Sequence, residues 1–163
     1  MRRERRKGEA MFVIREWEDA FADDYVRLSL EWLEKYVRVE AADEAVMYHP
    51  HESVLNIGGA IWFAAENGVN VGTVSMIPIG EGEYELAKLA VTESCKGRGA
   101  GSLLMQTAMA FAERVGARRV MLFTNSRLRP AIHLYEKFGF VHMPLGDSEF
   151  DTADVRMEAV LQK

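Results

Sequence analysis

The sequence predicts an α/β fold with one central mixed β-sheet flanked by helices. Two patterns carry that expectation. Between residues 59 and 91, three apolar runs follow one another with only short polar turns between them, as consecutive antiparallel strands do. Between residues 84 and 125 the order is apolar run, glycine-rich turn, helical stripe and second apolar run, which is the pattern of a right-handed crossover joining parallel strands. A sheet that holds both kinds of pairing is mixed. The 163 residues suffice for a single domain with a core that needs no disulfide.

The first ten residues, MRRERRKGEA, carry five Arg or Lys and two Glu, so they are +3, while residues 11–163 are −8. Having almost nothing apolar to bury, residues 1–10 are expected to form a disordered basic arm ahead of a single domain over 11–163. The acidic body disfavours nucleic acid as a partner and suits a cationic substrate. No run of about 18 apolar residues is present, so no membrane-spanning helix is expected. The basic start lacks the apolar stretch of a secretory signal, and the expected location is cytoplasmic.

Residues 11–14 read as a short edge strand. Residues 19–36 read as a helix, with Phe21, Tyr25, Leu28, Trp32 and Leu33 on one face. AADEAVMY suggests a helical turn or two, and HPHESVLNIGG suggests a loop. His49 and His51 come without a third candidate ligand, so no metal is expected. Residues 59–68 and 69–79 form a hairpin about Glu66-Asn67-Gly68, and GEGE turns the chain into YELAKLAV. Cys95 is the sole cysteine and has no His nearby in sequence, so it reads as an incidental turn residue rather than a nucleophile.

The stretch Lys96-Gly97-Arg98-Gly99-Ala100-Gly101 is the centre of the chain. Its glycines permit backbone conformations closed to other residues, so successive N–H groups can face one concavity at a helix N-terminus. With Lys96 and Arg98 adding positive charge, the turn suits a pyrophosphate. It matches neither the P-loop pattern nor the dinucleotide fingerprint. The following helix is expected to bury Leu103, Leu104, Ala108, Phe111, Ala112 and Val115 and to end at Gly116. ARRVMLFTN then reads as a strand, RPAIHLYEKF as a helix with Pro130 in its first turn and Gly139 at its end, and GFVHMPL and ADVRMEAVL as two closing strands.

Lys96 to Gly101, placed after a strand, resembles the acetyl-CoA loop of the GNAT family of N-acetyltransferases, with Lys96 where Arg or Gln is more usual. A second block resembles the same family downstream, with Asn125, Ala131, Tyr135, Gly139 and Phe140 in place. The resemblance implies a GNAT-like acyl-CoA N-acyltransferase fold and direct acetyl transfer from acetyl-CoA to a primary amine. The acceptor would be a small molecule or a peptide or protein amine, and the enzyme a monomer or homodimer.

By the same resemblance, the backbone of Lys96, Gly97, Arg98, Gly99, Ala100 and Gly101 holds the pyrophosphate. Leu89, Ala90 and Val91 run beside the pantetheine, with the Val91 N–H aimed at the thioester carbonyl from a strand bulge. Asn125 adds a polar contact to the cofactor, and Ala131 leaves room for it. The early helical region would line the acceptor site. Tyr135, one turn beyond Ala131 on the same helix face, is the candidate acid for the departing thiolate. Glu85 is the candidate base: four residues before Leu89, it is expected on the same strand face, with Lys88 on the opposite one. The alternative to an enzyme is a non-catalytic acyl-CoA-binding sensing module, which needs neither Glu85 nor Tyr135.

Overall fold

The computed structural model describes residues 11–36, 38–146 and 152–161. The expected basic arm, residues 1–10, lies outside them. Along the chain come β1 (Val13–Glu16), α1 (Ala22–Tyr36), α2 (Ala41–Tyr48), β2 (Ala60–Glu66), β3 (Val69–Gly80), β4 (Glu83–Val91), α3 (Ala100–Arg114), β5 (Arg119–Thr124), α4 (Arg129–Lys137), β6 (Val141–Met143) and β7 (Val155–Val160). The strands form one sheet in the order β1-β2-β3-β4-β5-β7-β6. Only β4 and β5 pair in parallel, across the α3 crossover, and all other neighbours are antiparallel.

Side-chain alternation sorts this sheet into two cores. On β2, Trp62 and Ala64 face a main core shared with α3, α4, β5 and β7, while Ile61 and Phe63 face a second core with Tyr25 and Leu28 of α1. The β2–β3 turn is the expected Asn67-Gly68, with φ of 51° and 79°, the backbone that a two-residue hairpin turn demands. Gly116 and Gly139, with φ of 72° and 90°, end α3 and α4. Behind α3, Ala117 N–H bonds the Ala112 carbonyl at 2.9 Å; behind α4, Phe140 N–H bonds the Tyr135 carbonyl at 3.1 Å. These six-residue closures satisfy carbonyls that the helices leave over.

Two segments depart from the expectation. Residues 51–55, read as loop, form a π-helical turn closed by Asn56 N–H to the His51 carbonyl at 2.8 Å, and it inserts Val54 into the second core. The polar residues, Pro50 and the Gly58-Gly59 pair around it concealed that turn, because a single buried valine anchors it. The strand read over residues 139–145 is three residues long, exposed throughout at the sheet edge.

Candidate active site

Strands β4 and β5 pair over only three residues, Glu83–Glu85 against Arg119–Met121. Beyond Glu85 they part, and the crevice between them opens at their C-terminal ends, where open α/β sheets take ligands. A bulge in β4 shapes one side of it. Against β3, Thr73 faces Ala90 but Ser75 faces Ala87, so Lys88 and Leu89 together oppose one residue, and Lys88 takes φ of 57°.

The bulge changes which way the strand faces. Tyr84 and Leu86 pack on the main core before it, and Leu89 and Val91 do so after it. Glu85 and Leu89 therefore sit on opposite faces, contrary to the expectation from unbroken alternation. Lys88, expected opposite Glu85, instead lines the same cavity as Glu85. An extra residue in a period-two strand inverts everything downstream. The N–H of Thr92 bonds the Val71 carbonyl at 2.8 Å, so by ladder alternation the N–H and C=O groups of Leu89 and Val91 point away from β3, into the crevice. The bulge lies next to Leu89, two residues earlier than the position assigned from sequence.

The wider part of the crevice is a cavity of about 460 Å³. Its β4 wall is Leu89, Ala90 and Val91; its floor is the turn into α3, with Lys96, Gly97, Gly99, Ala100 and Gly101; its far wall is Arg127, Leu128, Pro130, Ala131 and Leu134. Gly97 and Gly99 have φ of 76° and 94°, and a Cβ on either would meet nothing within 4 Å. Open space above a left-handed glycine pair at the start of a fifteen-residue helix is a cradle for an anion. Gly101 serves differently: a Cβ there would stand 3.3 Å from Leu134 Cδ2, so its bareness lets α3 approach α4. From α1, Glu31 accepts the Thr92 hydroxyl at 2.8 Å and the Glu93 N–H at 2.9 Å, anchoring the chain just before the cradle.

The expected residues meet this cavity unequally. The Arg98 guanidinium turns away to Glu66 and lies over the Phe12 ring at 5.4 Å. Lys96 lines the cavity and also pairs with Glu93 at 3.1 Å. Asn125 lies on a second, smaller cavity; its Nδ2 donates to the Thr152 carbonyl at 2.7 Å and its Oδ1 accepts the Arg127 N–H at 3.0 Å. Tyr135 is only 6% exposed and belongs to the main core, its ring 6.0 Å from Phe140, while its α4 neighbours Ala131 and Leu134 line the cavity. Burial pushes the Tyr135 phenol above its ordinary pKa, so it stays protonated. Cys95 is buried and contributes to the cavity wall.

The smaller cavity, about 80 Å³, lies on the other face of β4 beside the α1 and α2 helices. Glu85, Lys88, Asp43, Trp32, Phe123 and Thr152 line it. Trp32 lines both cavities, and on β4 the lining passes from one to the other at the bulge, between Lys88 and Leu89. Lys88 and Asp43 form an ion pair whose side chains are 6% and 5% exposed. Burial lowers the Lys88 pKa, and Asp43, Glu85 and Glu40 pull it back up. Sequence reading missed Trp32 as a site residue, along with Asp43, Lys88, Arg127 and Leu134. Two of these had a signal: Arg127 lies between Asn125 and Ala131, two positions already singled out, and Asp43 lies in the early helical region that the resemblance places at the acceptor site.

A strand bulge, a splayed parallel pair and a glycine turn at the helix between them define an α/β domain with a crevice at the C-terminal ends of its strands. Residues 14–140 match the acetyltransferase (GNAT) family, and the chain belongs to that family. Of its relatives, N-acetyltransferase family 8 member 2 of Rattus norvegicus is 32% identical over 94 residues, which are 55% of this chain and 42% of that protein. The chain spans about two-fifths of the length of the first curated relatives it matches. Among solved structures, a GNAT-family acetyltransferase from Staphylococcus aureus Mu50 superposes with a TM-score of 0.86 at 19% identity, covering 93% of this chain and 100% of that one. The PaiA N-acetyltransferase of Thermoplasma acidophilum, solved in complex with coenzyme A, gives 0.71 at 15%, covering 93% and 99%. At these identities the likeness is one of fold.

Among the described residues, no group of three or more His, Cys, Asp or Glu is placed to hold a metal, and no helix is long and apolar enough to cross a membrane.

Proposed function

We propose that the protein is an acetyl-CoA-dependent N-acetyltransferase that passes the acetyl group directly to the primary amine of a small molecule. The observation that supports it most is the meeting of two unlike cavities at one bulge. The larger offers an anion cradle and a free strand edge; the smaller offers a carboxylate. That is the division of labour an amine and a thioester require.

The cradle of Gly97 to Gly101, with Lys96, suits the pyrophosphate, and the free edge at Leu89 and Val91 suits the amides of the pantetheine arm, which would add to the sheet like a strand. The Leu89 N–H, next to the bulge, is the donor for the thioester carbonyl, and it strengthens as that oxygen gains charge. Ala131 keeps the far wall open. An alkylamine has a pKa near 10 and arrives as a cation, so Glu85 takes its proton, directly or through water. The amine nitrogen then bonds to the carbonyl carbon, the C–S bond breaks, and the thiolate leaves with a proton; the nitrogen sheds its second proton as the amide forms, which restores the donor. Tyr135 is assigned as the donor: it is the buried titratable side chain of α4, adjoining Leu134 on the cavity wall, and burial keeps it neutral. Asn125 holds the loop that carries Arg127. A cavity of about 80 Å³, in which Glu85 is a carboxylate beyond the Lys88–Asp43 pair, favours a compact amine over a polypeptide.

The test is free CoA release from acetyl-CoA with polyamines, amino acids, aminoglycosides and lysine or N-terminal peptides as acceptors. Small amines are expected to accelerate release and peptides to do so poorly. Tyr135→Phe should lower kcat roughly 100-fold if the phenol is the acid; unchanged turnover makes Tyr135 a core residue only. Tight acetyl-CoA binding without amine-stimulated release would leave a binding module.

A further inference from the structure

The bulge residue is an unusual choice. Position 88 adopts φ of 57°, where glycine or asparagine is at ease, yet it carries a lysine whose side chain is 6% exposed. The side chain is therefore doing something that offsets the backbone strain. Its ammonium meets Oδ1 of Asp43, while Oδ2 of the same carboxylate accepts the Glu40 N–H at 2.9 Å at the start of α2. The Glu40 side chain accepts the Thr152 hydroxyl at 2.8 Å, and the Thr152 carbonyl accepts Asn125 Nδ2 at 2.7 Å. Asn125 follows the last residue of β5. The chain of contacts runs from one arm of the splay to the other.

Building on the acetyltransferase reading, we propose that Lys88 and Asp43 are positioning residues: with Glu40, Thr152 and Asn125 they clasp β4 to the end of β5 and hold the bulge. No strand pairing crosses the splay beyond Glu85, so its width is set by what bridges it. The clasp encloses the small cavity and fixes the residue immediately before Leu89. It thereby keeps Glu85 and the Leu89 N–H in one geometry, the condition for amine and thioester to meet. Asp43 divides its two oxygens between α2 and the bulge, so the helix and the strand move together.

The test uses the full chain with Lys88→Gly and Asp43→Asn combined. Glycine accepts the bulge conformation, and asparagine keeps an acceptor for the Glu40 N–H, so the two buried charges go while the fold's local needs are met. Amide hydrogen exchange in residues 84–91 is expected to speed up by about tenfold or more, with residues 100–114 unchanged. With the best amine, kcat should fall roughly 10- to 100-fold while acetyl-CoA affinity holds within about twofold, a split that general loss of stability would not give. Unchanged exchange in residues 84–91 overturns the clasp, whatever happens to kcat. If wild type turns over no amine, the acetyltransferase reading fails and exchange alone decides the clasp. Should the double variant unfold, Asp43→Asn alone is read by the same exchange.

Discussion

The two cavities that meet at the β4 bulge are built from different parts of the polypeptide. The larger sets backbone features beside apolar side chains of α1 and α4: a strand edge at Leu89 and Val91 continues within ten residues into the glycine turn, and the two are one stretch of sequence. The smaller is mostly side chain, gathered from α1, α2, β4, β5 and the segment before β7. A backbone site is limited by conformation and space, whereas a side-chain site is limited by charge and its compensation. Substitutions should therefore damage the two in different currencies.

The largest effect is expected at the smaller cavity. Glu85→Gln keeps the shape of the side chain and removes the base, so kcat should drop by about 10²–10³ while acetyl-CoA affinity stays unchanged in calorimetry. An equal loss of affinity would mean that the two cavities do not act separately. Next comes Gly99→Ala. Because φ is 94° and a Cβ would meet nothing within 4 Å, the penalty is conformational alone, about 1–2 kcal/mol. Where that strain is relieved by shifting the cradle, acetyl-CoA should bind roughly tenfold more weakly, with kcat at saturation preserved.

The same division explains what the sequence made legible. Contiguous backbone features leave a local signature, so the left-handed turn at Gly97 and Gly99 was legible, as were the Asn67-Gly68 turn and the glycines that end α3 and α4. The smaller cavity has no such signature, because Asp43, Lys88 and Thr152 become neighbours only after the sheet forms. The bulge misled the reading most. A period-two pattern assumes an unbroken strand, and one extra residue at Lys88 placed Glu85 and Leu89 on opposite faces and drew Lys88 to the side of Glu85. Tyr135 shows the converse: its motif is plain, yet the ring packs with Phe140 across the helix-ending turn at Gly139. A residue four positions before a terminating glycine often makes that contact for packing reasons alone.

Trp32 is the side chain common to both cavities, so it should be the exception to their independence. Trp32→Ala is expected to raise the acceptor KM and the acetyl-CoA Kd together, each by roughly fivefold, through lost apolar contact. If only one constant moves, the indole belongs functionally to that cavity and the other contact is incidental.

The smallest effects separate two arginines that sequence alone would rank in the wrong order. Arg98 stands inside the glycine motif, but Glu66 holds its guanidinium and Phe12 lies beneath it, so it faces away from the cradle. Arg127 stands outside the motif and lines the cavity from the opposite wall, on a loop fixed by Asn125. If charge reaches the bound anion from where side chains actually lie, Arg127→Ala should weaken acetyl-CoA binding about threefold to fivefold at low salt, and less as ionic strength rises. Arg98→Ala should change it by less than about twofold, because an exposed ion pair contributes little to a ligand it does not touch. The opposite ranking would show that Arg98 abandons Glu66 when the anion arrives. The cradle would then owe part of its affinity to a mobile side chain, and its contrast with the side-chain cavity would be one of degree.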